Sequence, residues 1–254
     1  MDKKNILLFE PDKEQAELFT NWLKGEGFDV NSLDSLHEVQ ASVSKDKFDI
    51  LLMDIDEPEI TEPSLKLVQE LKADPHFTDL HITVLTYKKD SKKIAGAIEA
   101  GVDSFMLKPF ETDSFLARME TIFKQIELKK QGKKVLDLNC INYLIALAGE
   151  AEREDFFRLA PVIFNKLIIE NICTILGEPI IVQIIKRDNE MVGEDYAFMK
   201  EIRYSENKIF MNGVDKASRD TPLKKLTFAF RDYVYAFLQL VRTLTSDILM
   251  ERGG

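Results

Sequence analysis

Over the first 128 residues, short apolar runs alternate with longer stretches whose apolar positions recur at helical spacing. Ile6-Leu7-Leu8-Phe9 is apolar throughout, as a strand buried on both faces requires. Residues 12–25 place Ala16, Leu18, Phe19, Trp22 and Leu23 on one helical face and stop at Gly25 and Gly27. The pattern then repeats. Phe28–Leu33 predicts a strand, and Ser35-Leu-His-Glu38 spells a capping box that opens a helix. Strands are expected at Phe48–Met53, Ile82–Leu85 and Phe105–Leu107, with helices over 62–73, 91–100 and 112–130. Five strand–helix units predict an α/β fold, a five-stranded doubly wound parallel sheet with helices on both faces. In such a sheet, chemistry collects at the carboxyl ends of the strands.

The second half follows another pattern. Residues 136–148 and 155–176 have helical spacing, and Gly177-Glu-Pro179 interrupts them. Ile180–Lys186, Ala197–Tyr204 and Lys208–Met211 are rich in β-branched and aromatic residues and predict three antiparallel strands. Thr221-Pro222 then opens a long helix reaching about Met250. The expected organisation is a first domain over 1–128, a polar linker over 129–134 and a smaller α+β domain over 135–254. In the last helix Leu223, Phe230, Phe237 and Leu244 recur every seven residues, with Thr227, Val234, Val241 and Ile248 as a second line. That seam suits either a parallel two-stranded coiled coil, hence a homodimer, or a core helix.

The net charge is −10. Residues 1–128 carry 15 basic and 26 acidic side chains, whereas 129–254 carry 19 and 18, so the acidity belongs to the first half. A nearly neutral second half lacks the basic excess that nucleic acid attracts, and DNA is the less expected partner. Cys140 and Cys173 cannot build a disulfide framework or a metal knuckle. No apolar run is long enough to span a membrane and the N-terminus has no signal-peptide pattern, so the expected location is the cytoplasm. All three histidines, His37, His76 and His81, lie in the first half, which removes an imidazole base from the second; an output enzyme is not expected.

Candidate chemistry gathers at the predicted strand ends. Glu10 and Asp12 follow the first strand, Asp54 ends the third, Thr86 ends the fourth and Lys108-Pro109 ends the fifth. Carboxylates on one sheet edge repel unless a cation neutralises them, and hard oxygen ligands suit Mg²⁺. A neighbouring lysine and hydroxyl could hold phosphoryl oxygens. The set points to an aspartate that accepts a phosphoryl group with metal help.

On these residues the first half resembles the receiver domain of two-component response regulators. The resemblance implies that Asp54 is the phosphoacceptor, Thr86 the switch hydroxyl, Lys108 the lysine of the Lys-Pro-Phe motif and Phe105 the switch aromatic. It implies Mg²⁺ held by Glu10, Asp54 and, after adjustment, Asp12, with Asp56 at the position that offers a backbone carbonyl to the metal. Pro11 departs from the family, which has a second acid there, and so weakens the expected metal site. Asp103 and Arg118 are expected to pair on the face of the fourth helix, fifth strand and fifth helix. The implied partners are a histidine kinase or phosphotransfer protein and, downstream, a protein bound by the second domain. Two alternatives remain at this point: a pseudo-receiver serving as a phosphorylation-independent scaffold, and a DNA-binding regulator with an unfamiliar output domain.

Overall fold

The computed structural model describes residues 4–87, 91–131, 138–150 and 152–251. The chain divides into two compact units, 1–137 and 138–254. Residues 132–134 of the expected linker and 136–137 of the next expected helix lie outside the described residues, while Lys129 and Lys130 complete a helix.

The first unit alternates β1 (Asn5–Phe9), α1 (Lys13–Gly25), β2 (Asp29–Leu33), α2 (Leu36–Lys45), β3 (Ile50–Asp54), α3 (Pro58–Ala73), β4 (His81–Tyr87), α4 (Ser91–Ala100), β5 (Ser104–Lys108) and α5 (Thr112–Lys130). The strands form one parallel sheet in the order β2-β1-β3-β4-β5. β1, β3 and β4 are buried along almost their whole length, which is why their sequences are apolar runs rather than alternating ones. One face packs Ile6, Leu8, Leu52 and Leu85 under Phe19, Leu23, Phe115 and Ile122 of α1 and α5.

Two local expectations change, and a third gains partners. Leu18 is 45% exposed, so the inward face of α1 is carried by Phe19, Leu23 and the partly buried Trp22. The Ser35 side chain makes no capping hydrogen bond, so the capping-box spelling is not used. Asp103, expected to pair with Arg118, is held by Lys72 and, at 3.7 Å, lies beside Lys129.

The second unit is mostly helical: α6 (Leu138–Glu150), α7 (Arg153–Val162), α8 (Glu170–Leu176), α9 (Glu178–Asp195), α10 (Asn212–Ala217) and α11 (Leu223–Glu251). Pro161 cannot donate a helix hydrogen bond, and the helix widens to a π segment over Ile163–Ile169 before α8. The three expected strands reduce to a two-stranded antiparallel hairpin, β6 (Arg203–Ser205) and β7 (Lys208–Phe210). Its two-residue turn, Glu206-Asn207, has positive φ at both positions, as hairpin twist demands.

Ile180–Lys186 lies inside α9. Its β-branched composition suggests a strand, but the buried positions Ile181, Ile184, Ile185, Asp188 and Val192 recur at helical spacing. Gly177, at φ 77°, ends α8, and Pro179 stands in the first turn of α9, so the apparent breaker is a helix start. Ala197–Glu201 is a 3₁₀ turn.

The seam on α11 is the unit's own core. Phe230, Val234 and Phe237 are fully buried, and Phe164 of the π segment meets Phe237 at 5.0 Å and Tyr233 at 5.5 Å between ring centroids. An intramolecular partner already fills those three positions, so they are not free for a coiled-coil seam. The side chains of Leu244 and Ile248 lie outside the described residues. Among the described residues no helix is long and apolar enough to cross a membrane.

Candidate functional site

Parallel register sets the site. Asp54, the last residue of β3, stands opposite Leu85, and Lys108, the last of β5, stands opposite Tyr87. β1 ends one residue before Glu10, whose N–H donates to Leu33 O at 3.1 Å. Glu10, Asp54, Thr86 and Lys108 thereby meet at the carboxyl edge, and all four are buried. Phe105 is buried within β5, which β4 separates from the strand of Asp54.

Lys108 bridges the carboxylates. Its Nζ donates to Asp54 Oδ2 and, at 2.7 Å, to Glu10 Oε2. The remaining oxygens accept backbone amides: Asp54 Oδ1 from Asp56 N at 2.9 Å and Glu10 Oε1 from Asp12 N at 3.2 Å. Burial pushes the Asp54 and Glu10 carboxyls above the usual carboxylate range, against the pull of Lys108. Burial would lower the Lys108 ammonium, but its hydrogen bonds to Asp54 and Glu10 outweigh that and raise it.

Asp56 joins through its side chain. Its Oδ1 accepts the Thr86 hydroxyl and the Tyr87 N–H, each at 2.8 Å, and its Oδ2 lies 3.6 Å from Lys108 Nζ. Asp12 does not join. Its carboxylate caps α1 by accepting Gln15 N–H at 2.9 Å, and that bond holds its pKa below the ordinary value. Two contributors had no signal in the linear pattern. Lys93 of α4 donates to the Asp56 carbonyl at 2.5 Å, and the Tyr87 amide completes the Asp56 contacts. A lysine in a polar first turn and a backbone amide look like any other until the fold brings them in.

The donor chemistry fits a divalent cation. Glu10, Asp54 and Asp56 present hard carboxylate oxygens beside the single cation of Lys108, and the buried Asp56 Oδ2 accepts no hydrogen bond among the described residues. Among the described residues no three acidic, imidazole or thiol groups are already closed around one point, so binding there requires the oxygens to turn inward. Glu10, Asp54 and Asp56 would hold the ion, with Asp12 remaining a cap.

The family model for the response regulator receiver domain matches residues 6–120. The chain is 24% identical over 166 residues to the DNA-binding response regulator MtrA of Mycolicibacterium smegmatis, covering 65% of this chain and 70% of that protein. It is 27% identical over 120 residues to the transcriptional regulatory protein KdpE of Staphylococcus aureus, covering 47% of this chain and 50% of that one. Among solved structures, a putative response regulator from Chloroflexus aurantiacus aligns over 48% of this chain and 98% of its own, at 26% identity and a TM-score of 0.44.

Proposed function

We propose that the chain, whose residues 6–120 match the family model of the response regulator receiver domain, takes a phosphoryl group from a histidine kinase or phosphotransfer protein onto Asp54 and passes the change to a protein partner through its second unit. The observation that carries this reading is the Asp54–Lys108–Thr86 grouping at the carboxyl edge of the sheet. An Asp54 oxygen attacks the phosphorus of a phosphohistidine; the O–P bond forms, the N–P bond breaks and the imidazole leaves, taking up a proton. Lys108 neutralises the transferred oxygens and Thr86 donates to one of them, so charge is met by fixed donors in a site that water barely enters. Mg²⁺, when bound by Glu10, Asp54 and Asp56, would screen the carboxylates from the incoming phosphate. Phe105, buried in β5, is the side chain through which a movement of Thr86 is passed on.

The test is incubation of the full chain with a small phosphodonor and Mg²⁺, followed by intact-mass measurement. One added phosphoryl group is expected, and Asp54→Asn abolishes it. No adduct at saturating Mg²⁺ returns the scaffold reading. A DNA-contacting output is the second reading, favoured by the names of two relatives, a DNA-binding response regulator and a transcriptional regulatory protein. A titration with duplex DNA at low salt separates it from protein binding: affinity that collapses as salt rises is the signature of phosphate contacts.

A further inference from the structure

Thr86, Tyr87 and Lys108 already converge on a carboxylate of the chain itself, that of Asp56. The Thr86 hydroxyl and the Tyr87 N–H both donate to Asp56 Oδ1 at 2.8 Å, and Lys108 Nζ stands 3.6 Å from Asp56 Oδ2. A hydroxyl, an amide and an ammonium aimed at one small anion are the donors a phosphoryl group on Asp54 would need. The chain supplies that anion itself. The cause is local: the Asp56 N–H donates back to Asp54 Oδ1 at 2.9 Å, which folds the residues after β3 over the end of β4. Thr86 is fully buried and the Asp56 side chain is only 19% exposed, so the carboxylate is seated in the pocket rather than resting at its rim. A phosphoryl group cannot share that space, since two anions on the same three donors repel and compete for them.

We infer that the Asp56 carboxylate is a resident stand-in for the phosphoryl group: it fills the anion pocket of Thr86, Tyr87 and Lys108, holds the switch residues in place without a phosphodonor, and must leave before Asp54 can be modified. The statement about modification rests on the acceptor role proposed for Asp54; the statement about the pocket does not.

The test uses the full chain labelled with ¹⁵N. With a chelator present, so that loss of a metal ligand cannot contribute, the Tyr87 amide resonance of the wild type is compared with that of Asp56→Asn, which keeps the shape and removes the charge. The resonance is expected to move, and Asp56→Glu, which keeps the charge, should move it less. A small phosphodonor is then added together with Mg²⁺ at a concentration that saturates each protein by its own titration, so that a weaker metal site in the variant does not enter the rate. The initial rate of adduct formation is expected to rise about tenfold in Asp56→Asn, the effect of removing on the order of 1.4 kcal/mol of competing interaction, and the modified variant should bring the Tyr87 resonance back toward the wild-type position. A Tyr87 resonance unchanged by Asp56→Asn overturns the inference, as does an unchanged rate. A resonance that moves while neither protein takes up phosphate upholds the pocket assignment and removes the acceptor role from Asp54.

Discussion

Each unit buries carboxylates, and they do it in opposite ways. In the first, Glu10 and Asp54 close on the Lys108 ammonium, and their other oxygens accept backbone amides. In the second, Asp188 lies fully buried on α9, and neither of its oxygens has a hydrogen-bond partner among the described residues. Its neighbour Asn189 is satisfied, donating to Ile202 O at 2.7 Å and accepting the Tyr233 hydroxyl at 2.7 Å. The difference separates two uses of a buried acid. At the sheet edge the acids are compensated by a cation and by backbone amides. In the helical unit the buried Asp188 is a cost that the aromatic core around Phe164, Phe230 and Phe237 has to offset.

The largest expected effect follows from that cost. Burial alone pushes the Asp188 carboxyl up to about 8, from an ordinary value of 3.8. The folded unit therefore keeps a proton that the unfolded chain has released. Stability is full below pH 4, falls as pH rises through the interval to 8 and levels above it; a rise of that size amounts to at most about 6 kcal/mol. Asp188→Asn should flatten this slope and stabilise the unit most at pH 8. Urea unfolding followed by circular dichroism at pH 5 and pH 8 checks it, and an unchanged slope would show that Asp188 finds compensation in solution. Trp22, the chain's single tryptophan, lies in α1, so its fluorescence follows the first unit and provides the internal control.

Stripped of their cation, the compensated acids should respond in the same sense as Asp188. Lys108→Met removes the cation and leaves Glu10 and Asp54 facing each other, which costs about 3–5 kcal/mol as for other broken buried pairs. The loss should appear in Trp22 fluorescence at neutral pH and shrink in acid, where the carboxyls are protonated. A Lys108→Met protein as stable as the wild type would mean that the two acids already share a proton.

The same contrast explains what the sequence disclosed. The sheet was legible because β1, β3 and β4 are buried on both faces and so are written as unbroken apolar runs, and because a parallel sheet carries every strand end to one edge. Glu10, Asp54, Thr86 and Lys108 could be grouped on that ground alone. Side-chain direction could not be read. Asp12 sits one residue before α1 and turns to its cap, and Asp56 offers its carboxylate to Thr86 rather than a carbonyl alone. In the second unit, α9 was obscured by its isoleucines, whose strand preference is overridden by packing of Ile181, Ile184 and Ile185 on one face. The heptad line on α11 was real as a pattern, but repetition does not say whether the facing surface belongs to the same chain.

A smaller effect concerns the position after Glu10. Pro11 has neither carboxylate nor N–H. Pro11→Asp restores a second acid beside Glu10 and should tighten Mg²⁺ binding about tenfold, the scale on which single groups around a metal site act. Calorimetric titration of Mg²⁺ into both proteins measures it. No gain would place the limit on affinity elsewhere, in the Lys93 ammonium that already meets the Asp56 carbonyl at 2.5 Å.

The smallest effect decides what Asp12 is for. Its Oδ1 accepts the Gln15 N–H at 2.9 Å and its backbone carbonyl accepts the Ala16 N–H at 2.8 Å, so it begins α1 twice over, by side chain and by main chain. Only the first bond is lost in Asp12→Ala, and the loss of a helix N-cap costs about 1 kcal/mol. That cost should register in Trp22 fluorescence during unfolding, because Trp22 rides on the same helix, while the Mg²⁺ affinity of the folded protein stays where it was. A protein with unchanged stability and weakened Mg²⁺ binding would reverse the assignment, because a carboxylate released from its cap to meet the metal costs affinity, not helix, when it is removed.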